Sequence, residues 1–160
     1  DHTMSTVRAE IDIDLPISTV YNQWTQFETF PQFMSGVDTV RQVDDTHTHW
    51  EVSIAGVSRE FDAEIVEQTA DERIAWNSTS GEEHAGVVTF HRLSDDTTKV
   101  TLQLTWEPKG AIERIGSLLQ IDDIQIDRDM RSFKDLIEHN GFESGAWRGD
   151  VDRAPDATGR

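Results

Sequence analysis

The sequence predicts an α+β domain: an antiparallel sheet with one long amphipathic helix packed against it. Three observations predict it. Between Gly36 and Trp106, apolar residues return at every second position in segment after segment, separated by short polar turns. From about Ala111 to His139 the apolar spacing changes to three and four. Between the first strand and the rest of the sheet lies "WTQFETFPQFMSG", aromatics gathered around Pro31.

The elements follow in order. "STVRAEIDIDL" (5–15) puts Val7, Ala9, Ile11 and Ile13 on one side, a strand. "PISTVYNQW" (16–24) places Ile17, Val20, Tyr21 and Trp24 at helical spacing behind a proline suited to a first turn. Pro31 lacks an N–H and its ring crowds the preceding turn, so the aromatic stretch predicts two short helices meeting at a bend. Six strands follow: 37–43, 46–54, 58–68, 73–79, 84–93 and 99–106. Trp50, Val52 and Ile54 share a face, as do Phe61, Ala63 and Ile65, and Ile74 with Trp76. The last strand has the cleanest alternation, Val100, Leu102, Leu104 and Trp106 against Thr101, Gln103 and Thr105. Asn140-Gly141 predicts the helix stop. The Gly-, Arg- and Asp-rich remainder, 142–160, reads as a flexible tail after one domain spanning 1–141.

Composition narrows the function. The 160 residues suit one domain with a real core. Without cysteine there is no disulfide, thiol catalysis or cysteine-ligated zinc. A net charge of −17 repels phosphate backbones and anionic lipid, so nucleic-acid binding is not expected. No apolar run approaches membrane-spanning length, so no membrane insertion is expected, and no signal-peptide pattern is visible. Met4 reads as a native start, and the cytoplasm is the expected compartment. The acidity fits high solubility or adaptation to high salt and specifies no function. No Gly-rich phosphate loop or dinucleotide fingerprint is present, and no cofactor is expected.

Three stretches carry a resemblance: "IDLPISTVYNQWTQFETFPQFMSGV", "LTWEPKG" and "IDRDMRSFKDLIE". Together, in this order over residues 5 to 141, they resemble the START/Bet v 1-like (SRPBCC) superfamily, most of all its bacterial polyketide cyclase/dehydrase and coenzyme Q-binding branch. The resemblance implies the helix-grip fold: a seven-stranded antiparallel sheet wrapped around a long C-terminal helix, with two short helices after the first strand. It also implies an apolar cavity between sheet and helix. A tyrosine found after the bend in some cyclases has no counterpart, since Gly36-Val37 stand there and the single tyrosine is Tyr21.

The implied cavity assigns candidate ligand-binding roles to Trp24, Phe27, Phe30, Phe33, Met34, Trp50, Arg59, Phe61, Trp76, Trp106, Met130 and Phe133, against the plain reading of the aromatics as core. Arg59, two residues before Phe61, would orient a carboxylate or carbonyl if it faces inward. His91 shares a strand whose inward face the alternation leaves open, which leaves a general-base role open with it. Asp122 and Asp129 interrupt the helix stripe; the plainer reading is a solvated edge, the other a buried acid meeting Arg59 or a ligand. His47 and His49 fall on one face of a strand and read as a solvent-facing pair. No third ligand stands at a metal-site spacing, so no metal is expected. The expected function is binding of a hydrophobic small molecule, a lipid, quinone or polyketide-like compound; the alternative is an aromatase/cyclase acting on a carrier-tethered polyketide. Catalytic residues are not assigned, and monomer and homodimer both stay open.

Overall fold

A computed structural model describes residues 5–54, 57–81, 83–107 and 123–152. The strands are β1 (Ser5–Ile13), β2 (Val37–Gln42), β3 (His47–Ile54), β4 (Val57–Thr69), β5 (Arg73–Gly81), β6 (Glu83–Ser94) and β7 (Thr97–Glu107). All pair antiparallel in the order β1-β7-β6-β5-β4-β3-β2. The meander of β2 to β7 follows from the short turns; β1 joins it by closing beside β7. β1 and β2 are consecutive in sequence yet lie on opposite edges. Their connection must therefore cross the sheet, and it does so through helix α1 (Ile17–Trp24) and a 3-10 helix (Phe27–Gln32) with Pro31 inside it. This is the expected bent pair.

The second α-helix, α2 (Asp123–Asn140), packs along β1. Ile126, Met130, Phe133 and Ile137 are all buried, which is the stripe predicted by their spacing. Lys134 Nζ donates to the Asp12 carbonyl at 2.7 Å, and the Asp14 N–H donates to Glu138 Oε2 at 2.7 Å, fixing the helix edge to β1. Gly141 ends the helix at φ 78°, where its N–H reaches the Ile137 carbonyl at 2.8 Å. The predicted helical stretch before 123 lies outside the described residues, as does Asp122.

Two features depart from the sequence reading. In β4 the buried positions run Phe61, Ala63, Ile65 and then Gln68, because a register shift against β5 between Ile65 and Glu67 changes the strand's phase. Gln68 thereby becomes buried and donates to Tyr21 Oη at 3.0 Å. Residues 143–152, in the stretch expected to form a flexible tail, make contacts with α1 and β4. Val151–Asp152 form a short β8 on β4, pairing Glu67 and Gln68 beyond the reach of β3. Asn22 Nδ2 donates to Glu143 Oε2 at 2.9 Å, and the Ser144 N–H to Gln23 Oε1 at 2.7 Å. Arg148 donates to Asn22 Oδ1 at 2.7 Å and Asp71 Oδ2 at 2.8 Å, its guanidinium 5.5 Å from the centre of the Tyr21 ring. Composition suggested a loose end; the polar residues that suggested it are hydrogen-bonded to α1.

Candidate functional site

The aromatic stretch divides into two parts. Trp24 is the hub of a closed cluster: its ring centre lies 4.9 Å from Phe133, 5.4 Å from Phe30 and 5.9 Å from Phe33, mostly edge to face. Trp24, Phe27, Phe33, Met130 and Phe133 are all buried in this packing and do not line the cavity described next. Phe30 stands at the boundary, with Trp24 on one side and Trp50 5.7 Å away on the other.

Beyond Phe30 a cavity opens between the sheet and α2. It holds about 570 Å³ of space not filled by atoms, counted out to its mouth. Phe30, Met34 and Val37 form one side, Trp50, Val52, Phe61 and Trp76 the sheet wall, and Ile126 of α2 the opposite side. Alternation explains the wall: each of these strand residues lies on the inward face of β3, β4 or β5. Trp50 stacks nearly parallel to Phe61 (5.6 Å, 13°) and to Trp76 (6.4 Å, 15°). Gly86, paired with Trp76 across β5 and β6, gives the indole its room; a Cβ there would sit 2.3 Å from Trp76 Cζ2.

Among the described residues, His84 and Asp129 are the polar side chains that line this apolar space. His84 is buried, and its Nε2 accepts the Trp76 indole N–H at 3.1 Å. An indole only donates, so Nε2 carries no proton and the imidazole is neutral with its hydrogen on Nδ1. Burial pushes the His84 pKa down to about 3, while a hydrogen bond with the Thr105 backbone works in the opposite direction. Asp129 is 6% exposed, and its Oδ1 accepts the Ser35 N–H at 3.3 Å and the Ser35 hydroxyl at 3.1 Å. Burial raises its pKa above the ordinary carboxyl value; the Ser35 bonds oppose the rise. The solvated-edge reading of Asp129 is thus corrected. It stands three residues after Ile126 and four before Phe133, on the border of the buried stripe, and Ser35 rather than Arg59 is its partner.

Of the predicted site residues, Phe30, Met34, Trp50, Phe61 and Trp76 come together here. Arg59 shares the Phe61 face, half-buried, but does not line the cavity. The Trp106 side chain lies outside the described residues; its backbone pairs with Ser5 and His84. His91 is exposed, because the inward face of β6 is that of His84, Gly86, Val88 and Phe90. His84 was missed: the alternation of β6 was ambiguous, and Gly86 leaves a gap in the apolar pattern at the position that would have set the phase.

The family sequence model "Polyketide cyclase / dehydrase and lipid transport" matches residues 13–137. The chain belongs to this family. A Streptomyces lincolnensis protein, an uncharacterised 17.2 kDa chain from the melC2-rnhH intergenic region, is 54% identical over 149 residues, covering 92% of this chain and 99% of that one. A START superfamily protein from Mycobacterium smegmatis superposes with TM-score 0.67 at 14% identity, over 88% of this chain and 99% of that one. The di-domain ARO/CYC StfQ from the steffimycin biosynthetic pathway superposes with TM-score 0.61 at 16% identity, over 84% of this chain and 46% of that one. At these identities both structures show the fold alone. Together with the sheet and α2, they make this polyketide cyclase/dehydrase family member a helix-grip, START/Bet v 1-like protein. Family membership supports a hydrophobic-ligand or cyclase role in general terms. No helix among the described residues is long and apolar enough to cross a membrane.

Proposed function

We propose that this chain binds one hydrophobic small molecule, a quinone, lipid or polyketide-like compound, in the cavity between sheet and α2. The observation that carries the reading is the apolar cavity lined by the nearly parallel rings of Trp50, Phe61 and Trp76. An apolar, aromatic lining favours apolar guests, by area burial and ring contact. Asp129 would supply a polar anchor: His84 Nε2 already holds Trp76, whereas Ser35 occupies only Oδ1 of Asp129.

A second reading, an aromatase/cyclase, is favoured by Asp129 alone. A carboxyl whose pKa is raised by burial in an apolar cavity is the type of group that serves as general acid or base. The StfQ likeness in fold is consistent with it.

The test is quenching of tryptophan emission by a medium-chain fatty acid, a short-chain quinone and a naphthol. At least one should saturate at one equivalent, and Trp76→Ala and Phe61→Ala should weaken it by more than their effect on stability explains. If none binds, the carrier reading fails. Turnover of a thioester-linked polyketide mimic, abolished by Asp129→Asn with binding retained, would move the assignment to the enzyme.

A further inference from the structure

We infer that the outer face of β3 and β4 carries a divalent transition-metal site formed by His49, Glu51 and Glu60, with Asp62 as the orienting partner of His49. The alternation that turns Trp50, Val52 and Phe61 toward the cavity turns these four residues to the opposite face. The register sets His49 opposite Asp62 and Glu51 directly opposite Glu60. Two carboxylates facing each other across a ladder repel, unless a cation lies between them.

His49 supplies the nitrogen. Its Nδ1 lies 2.6 Å from Asp62 Oδ1. Ser80 Oγ donates to Asp62 Oδ2 at 2.8 Å and holds that carboxylate beside the ring. Nε2 is then directed toward Glu60 Oε1 at 3.4 Å. An imidazole held by a carboxylate through one nitrogen, with the other presented outward, is the usual arrangement around a metal-bound histidine. One ligand atom from each of His49, Glu51 and Glu60 lies within 4.8 Å of the others. Ligands at bond lengths of about 2.0–2.2 Å stand somewhat closer than this, a gap that rotation of two exposed glutamates closes. Thr39 Oγ1 donates to Glu51 Oε1 at 3.1 Å and steadies that carboxylate. One imidazole and two carboxylates suit zinc-like ions better than calcium or magnesium, which prefer oxygen throughout. No third ligand for His49 was legible along its own strand, because Glu60 comes to it from the neighbouring strand.

The competing arrangement is metal-free: His49 bridging Asp62 and Glu60, with Arg41 opposite His49 on β2. Calorimetric titration of zinc chloride into the tag-free full chain, at neutral pH and physiological salt, separates the two. The expected result is one equivalent bound in the micromolar range. His49→Ala and Glu60→Gln should each weaken it at least tenfold, and Asp62→Asn by about tenfold, as expected for an orienting partner. His47→Ala, on the same face, should leave it unchanged. Circular dichroism confirms that each variant folds. Absence of saturable binding below the hundred-micromolar range overturns the inference, as does an affinity that His49→Ala leaves intact, which would mean ions gathered only by the net negative charge.

Discussion

Replacing Gly86 with alanine puts a methyl carbon 2.3 Å from Trp76 Cζ2 and 2.6 Å from Cε2. Ordinary contact begins near 3.4 Å, so the indole must retreat by about 1 Å. The β5–β6 ladder pairs Trp76 with Gly86 and resists strand separation, which leaves the cavity as the direction of retreat. Overfilling a packed site costs about 1–3 kcal/mol. Stretching the Trp76–His84 hydrogen bond adds about 1 kcal/mol. The expected loss of stability is about 2–4 kcal/mol, read from the midpoint of urea unfolding at unchanged slope. Affinity for the quenching lipophile should fall at least tenfold, about 1.4 kcal/mol, because the displaced ring takes guest space. Wild-type stability together with wild-type affinity would refute the placement of Trp76 as the cavity wall behind Gly86.

Other outcomes follow from the same geometry. His84 has a folded pKa of about 3 against 6.5 in the unfolded chain, so the unfolded chain takes the proton first; its contribution is full above pH 6.5 and is lost as pH falls toward 3. That amounts to at most about 5 kcal/mol over the window, and His84→Gln, which keeps an acceptor for Trp76, should flatten this part of the acid-unfolding curve. Asp129 works the other way: its raised folded pKa favours the folded state at low pH and is lost as pH rises through it. Asp129→Asn should therefore gain on wild type in denaturant melts as pH rises from acid to neutral. Ending the chain at Phe142 removes the bonds to Asn22, Gln23 and Asp71, and should lower stability by about 2–4 kcal/mol, at roughly 1 kcal/mol per hydrogen bond. An unchanged midpoint in that truncation would return the segment to the status of a tail.

The sheet was legible because its strands keep period two through short turns, and α2 because Ile126, Met130, Phe133 and Ile137 keep a helical stripe. The cavity wall was legible for the same reason, since Trp50, Phe61 and Trp76 sit in clean alternation. What was not legible depends on contacts distant in sequence. Trp24, Phe27 and Phe33 carry the same composition as Phe30, yet only the crossing of α1 over the sheet decides which ring faces the cavity. Gln68 is buried because of a bulge that no residue in β4 announces. Asp129 looked like a solvated edge because Ser35, which holds it, lies 94 positions away. Residues 143–152 looked loose because hydrogen bonding to another element leaves no periodic trace.

The most direct test of the central claim is native mass spectrometry of the chain purified gently without detergent, with wild type beside Leu104→Trp, which fills the cavity from β7. Wild type should carry a single apolar adduct per chain, or take up one equivalent of the best quencher, and Leu104→Trp should carry none while remaining folded. Wild type with no adduct and no uptake of any lipophile, or equal uptake by both proteins, would contradict a ligand seated between the sheet and α2.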